Sequence, residues 1–168
     1  MKKNWILRVL AVACVGALMV CALVGCSQQS SAETEQQAAN RAYMSSVNQK
    51  IEELAERLTS FEDAVAREDV VTMRTQADNA FAVIDELSAI EVPEGQGLEE
   101  VQQGYVDGCT TLRDALNAYI DLYTEIESAT AEHPFDYATY DDRLAAIQAQ
   151  YDEGVSKLKA ADEKAASL

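Results

Sequence analysis

The chain has 168 residues, with 13 Lys and Arg against 29 Asp and Glu, giving a formal net charge of −16. This balance disfavours nucleic acid and anionic membrane surface as partners of the folded part, because binding phosphates needs clustered Lys and Arg. The length suits one domain, and the periodic apolar content is too high for disorder throughout.

Lys2, Lys3 and Arg8 open the chain, and Val9 to Gly25 follows as 17 residues without a charge. That run sits between a secretory h-region and a minimal membrane span. It ends in Leu23-Val24-Gly25-Cys26, which resembles the lipobox of bacterial lipoproteins. The resemblance covers the first 26 residues. It implies a diacylglyceryl thioether on Cys26 and cleavage between Gly25 and Cys26, leaving a lipid-anchored protein on the extracytoplasmic face of the cell membrane. The other reading is an uncleaved signal anchor whose Cys is incidental. The expected organisation is a signal peptide over 1–25, a lipidated Cys and flexible tether over 26–37, and a helical domain over 38–168. Removing three basic and no acidic side chains with the leader takes the net charge to −19. Cys14 and Cys21 leave with it, so Cys109 is the one unmodified thiol and no internal disulfide is expected.

The tether, Ser27 to Gln37, reads SQQSSAETEQQ and has no large apolar residue, although its distal part can be helical from about Ala32. A heptad stripe follows: Met44, Val47, Ile51, Leu54, Leu58, Phe61, Val65. Its phase slips at Glu68-Asp69, which predicts a tight turn near 67–69 with Asp69 as the next N-cap. A single long helix with a register shift is the alternative. The second stripe is Val70, Met73, Ala77, Phe81, Ile84, Leu87, ending near Ile90 before the breakers Pro93, Gly95 and Gly97. The third helix is expected from about Leu98 to Ser128. The fourth runs from about Asp136 to Ala165, with Tyr140, Leu144, Ile147, Tyr151, Val155 and Leu158 inward. No segment alternates with period two, so the fold class is all-α, an antiparallel four-helix bundle of long helices.

Candidate sites are few. His133, the only histidine, has no second His to join it as a metal ligand, and HExxH, Gly-rich phosphate loops, CxxC and GxSxG are absent. Cys109 falls on the inward face of helix three and reads as core. Gly104 and Gly108 each cost roughly 1 kcal/mol of helix propensity. Either a neighbouring helix approaches closely there, or a groove opens beside Tyr105, Gly108, Tyr119 and Tyr151. Glu100, Asp107, Asp114 and Asp121 recur every seven residues, about 10.5 Å apart, too far to chelate one ion but able to attract a cationic partner. Glu52-Glu53, Asp85-Glu86 and Glu99-Glu100 are adjacent and point about 100° apart on a helix.

The expectation is a non-enzymatic binding or scaffold module at the cell envelope, with no cofactor besides the Cys26 lipid. Its partners would be the membrane through the anchor and an envelope protein or glycan, neutral or cationic, and not nucleic acid. The alternative is a cell-wall or solute ligand-binding protein using tyrosines. A carboxylate-dependent glycan hydrolase is more remote, since it needs two acids converging across a cleft.

Overall fold

The computed structural model describes residues 31–94 and 97–168. Leu23, Val24, Gly25 and Cys26 lie outside the described residues, as does the proximal part of the tether. Among the described residues four helices follow in order: α1 Ser31–Ala66, α2 Val70–Ser88, α3 Leu98–Ser128 and α4 Tyr140–Ala166, with a 3-10 turn at Tyr137–Thr139 leading into α4. Each helix packs on the next along the chain, and α3 with α4 form the most extensive pair. This is an all-α antiparallel bundle. At one end, Gln36 at the start of α1 donates to the Glu94 carbonyl (2.8 Å) in the α2–α3 connection. At the opposite end, Arg74 of α2 donates to the Thr124 hydroxyl of α3 at 2.5 Å.

The α1 helix starts at Ser31, within one residue of the point from which the distal tether can be helical by sequence, so the expected domain boundary at 38 falls inside a continuous helix. Ala, Glu and Gln fill 32–37 almost without interruption, and these are strong helix formers. The slip at 67–69 is a true turn. Glu68 N–H donates to the Val65 carbonyl (3.0 Å) and Asp69 N–H to the Ala64 carbonyl (3.1 Å), the two bonds of a Schellman motif. That motif demands a left-handed residue, and Glu68 supplies it at φ 56°. Asp69 then caps α2, accepting from Thr72 N–H at 3.0 Å and from the Thr72 hydroxyl at 2.5 Å. The Thr72 hydroxyl, followed by backbone N–H groups, holds the Asp69 carboxyl below its ordinary pKa.

The heptad stripe of α1 points inward: Val47, Leu54, Leu58, Phe61 and Val65 are buried and Met44 and Ile51 pack against them. From α2 come Val70, Met73, Ala77, Ile84 and Leu87, and from α3 Leu98, Val101, Tyr105, Cys109, Leu112, Leu116 and Tyr119. One buried polar link crosses this core. The Tyr43 hydroxyl donates to Gln102 Oε1 (2.7 Å), and Gln102 Nε2 donates to the Leu87 carbonyl (3.0 Å), joining α1, α3 and α2. Its donor and both amide atoms are matched, so the link holds alignment without an orphaned buried group.

The α4 helix departs from expectation. Its stripe of Leu144, Ile147, Tyr151, Val155 and Leu158 is only half-buried, and Gly154 and Ala161 are its buried residues. It leans on α3 far more than on α1. The reason is close backbone approach. A Cβ built on Gly108 would stand 2.8 Å from Leu158 Cδ2 and 3.0 Å from its backbone N; one on Gly154 would stand 2.8 Å from Leu112 Cγ and 3.0 Å from its backbone N. At Gly104 the nearest atom is the Ala161 Cβ, at 3.1 Å.

Two predictions follow from this packing and turn geometry. Glu68→Gly should stabilise the protein by about 1 kcal/mol, since glycine adopts the left-handed region freely; urea unfolding reads this, and a loss of stability would contradict the Schellman assignment. Gly108→Ala and Gly154→Ala should each destabilise, because overpacking costs about 1–3 kcal/mol against about 1 kcal/mol gained in propensity. Gly104→Ala should be near neutral, and Leu158→Ala should recover part of the Gly108→Ala loss in a double-mutant cycle.

Candidate functional site

The four residues expected to line a groove are instead built into the packing. Tyr105 is 0% exposed and donates its hydroxyl to Asp162 Oδ1 at 2.5 Å, tying α3 to α4. Gly108 lies under Leu158. Tyr119 is wedged between Phe61, edge-on at 5.8 Å, and Tyr123, stacked at 4.9 Å. Its hydroxyl is buried and makes no hydrogen bond among the described residues. Burial, with the neighbouring Tyr123 hydroxyl, pushes its pKa upward. Tyr151 is half-buried and reaches the Glu62 carboxylate at 3.4 Å. Fourteen residues separate Tyr105 from Tyr119, about 21 Å along α3, so these side chains do not converge on one opening. Helical spacing showed that they face inward; it could not show how closely α4 covers them.

Cys109 is fully buried, and burial pushes its thiol up to about 12, out of reach of thiolate chemistry near neutral pH. His133 is exposed in the α3–α4 loop, where its N–H donates to the Thr130 hydroxyl (3.1 Å) and its carbonyl accepts from Thr130 N–H (3.0 Å). Among the described residues no three His, Cys, Asp or Glu side chains are grouped to hold a metal ion, and no helix is long and apolar enough to cross a membrane.

An opening does exist, in a place that periodicity did not indicate. Between the end of α3 and the start of α4 runs a groove of about 360 Å³, lined by Ala118, Asp121, Glu125, Arg143, Ala146, Ile147 and Gln150. It forms because Ala118 and Ala146 leave room where longer side chains would meet across the helix pair. Arg143 closes one end with a bidentate bridge to Glu125 (2.5 and 2.9 Å) and lies over the Phe135 ring at 5.8 Å. The Arg143 guanidinium holds the Glu125 carboxyl below its ordinary pKa. Beyond it, Tyr137 meets Phe135 edge-on at 5.0 Å and is 69% exposed. The ionisable lining is thus two acids and one base.

Of the acidic stripe, all four members are exposed. Glu100 pairs with Lys164, Asp107 accepts from Gln103 at 2.8 Å, and Asp121 faces the groove. The stripe was legible in the sequence. Which member would stand beside a cleft depended on the α3–α4 register and was not.

No protein-family model matches the chain, and neither a curated protein nor a solved structure does.

Glu62 is a half-buried carboxyl raised above its ordinary pKa by burial, and the side chain hydrogen-bonded to it is the Tyr151 hydroxyl. Folding therefore favours its protonated form. The stability it contributes is full below the ordinary carboxylate pKa and is lost as pH rises through the raised value. Glu62→Gln should gain stability relative to wild type at pH 7 and lose that advantage by about pH 4; urea midpoints across this window test it, and a pH-independent difference would refute the burial assignment.

Proposed function

We propose that the protein is a lipid-anchored module on the extracytoplasmic face of the cell membrane, where it binds or scaffolds an envelope partner without catalysing a reaction. The observation that carries this reading is Leu23-Val24-Gly25-Cys26 closing a basic-then-apolar leader, directly ahead of a short polar segment and a helical bundle. Two acyl chains on Cys26 would hold the protein firmly, since each buried methylene adds about 0.8 kcal/mol. The bundle supports a binding role in one further way: its groove lies at the end opposite the start of α1, which in an anchored protein faces away from the membrane. The alternative of a tyrosine-lined solute cleft draws no support from Tyr105 and Tyr119, whose rings are buried.

Expression of the full chain in a bacterial host tests the anchor. The wild type should fractionate with membranes and accumulate as precursor under globomycin. Cys26→Ala should leave the membrane-bound lipid-labelled pool entirely. An unmodified full-length wild type that persists in untreated cells would overturn the proposal.

A further inference from the structure

Asp121 is the acid of the α3–α4 groove that no side chain grips directly; Arg143 acts on it through space alone. Both oxygens of Glu125 are taken by the Arg143 fork, whereas Asp121 forms no ion pair or hydrogen bond among the described residues. The lining is therefore one positive charge short of neutral. Ala118, Ala146 and Ile147 provide an apolar floor and Gln150 an amide, so the groove offers surface to an alkyl stem and acceptors to its charged head. The surroundings have the same sign. Residues 127–142 hold five acids (Glu127, Glu132, Asp136, Asp141, Asp142) and no Lys or Arg. Past Arg143 and Phe135 the Tyr137 ring is 69% exposed, one of three large apolar side chains left open to solvent among the described residues. An aromatic face beside carboxylates is suited to guanidinium and ammonium groups.

We propose that this groove docks a basic segment of a partner polypeptide, with an Arg or Lys side chain lying along Ala118, Ala146 and Ile147 and its charged head on Asp121, while a second basic side chain of the same segment covers Tyr137. The proposal deepens the binding-module reading and rests on it. A polypeptide fits better than a free small cation for a quantitative reason. One exposed ion pair contributes at most about 1 kcal/mol, so a lone cation would not stay bound through Asp121. A segment that also covers the Phe135–Tyr137 pair adds apolar area and a second charge contact. Acidic partners are excluded by the sign of the lining.

The test uses the full chain in detergent micelles and a labelled nine-residue probe with three Arg separated by Gly and Ser, read by fluorescence anisotropy. Wild type should bind, and Asp121→Asn should weaken the probe about fivefold, the worth of one exposed charge pair. Tyr137→Ala should weaken it by a similar factor. Asp107→Asn removes the same charge from the same helix, about 21 Å toward the other end, and should leave affinity within twofold. Equal losses for Asp107→Asn and Asp121→Asn would reduce the binding to general acidity and overturn the site. Absence of wild-type binding would overturn it too, as would spermidine binding as tightly as the probe, which would make the groove a small-cation site. The side chains of Asp121 and Tyr137 are exposed, so their variants should keep the wild-type unfolding midpoint. The anchor is read by fractionation and the groove by anisotropy, so either can fail without the other.

Discussion

The bundle depends on a reciprocal interlock between two glycines and two leucines. On α3, Gly108 and Leu112 are four residues apart; on α4, Gly154 and Leu158 repeat that spacing. Because the helices are antiparallel, Leu158 enters the space left by Gly108 and Leu112 the space left by Gly154. The two glycines cost about 2 kcal/mol of helix propensity together. Against this, covering a leucine contributes about 1.5–3 kcal/mol when complete. Leu112 is fully buried and Leu158 half-buried, so the exchange is favourable by roughly 0.3–2.5 kcal/mol with the second burial discounted by half. A Cβ at either glycine would press on the facing leucine, on its side chain and its backbone N alike.

This interlock decides where everything else on α4 falls. With 108 opposite 158 and 112 opposite 154, equal steps along antiparallel helices place 121 near 145 and 125 near 141. The structure has Arg143 on Glu125 and Ala146 beside Asp121, within one helical turn of that expectation. The groove is thus a consequence of register: the same closeness that seals the glycine half of the pair leaves an opening where alanines stand in the other half. It also explains why α4 can pack with only Gly154 and Ala161 buried. Its hold on the bundle is narrow and deep, where α1 and α2 rely on broad apolar stripes.

Those stripes are what the amino-acid sequence made legible. The α1 heptads, the α2 stripe and the whole span of α3 could be read from spacing, because each buries a continuous face and periodicity reports burial. Asp69 as a cap could be read because a short acceptor at a phase slip has few other roles. That Leu144, Ile147 and Val155 are only half-buried could not be read. Periodicity says which residues share a face, and says nothing about whether one neighbour or two will cover it. Gly104 and Gly108 signalled closeness without naming the partner. Only the return pair on α4, Gly154 and Leu158, turns that signal into a register, and a match between segments 46 residues apart carries no local mark. The helical start near Ala32 could be read from propensity alone: residues 31–37 lack an apolar stripe, yet Ala, Glu and Gln continue α1 through them.

Distance separates the groove electrostatically from the membrane that the proposed anchor would place beneath α1. Asp121 lies 23 residues beyond Leu98, about 35 Å along the α3 axis. Screening at physiological salt acts over about 8 Å. Repulsion between the acidic bundle and anionic headgroups therefore bears on the near end, where Ser31 and Leu168 sit, and has decayed well before the level of Asp121. In a protein anchored as proposed, the field would hold the near end off the headgroups, while the far end would meet its surroundings through local charge alone. At that end the Arg143 fork is taken up by Glu125, so the local charge is set by Asp121 and the acids of residues 127–142, beside the open Tyr137 ring.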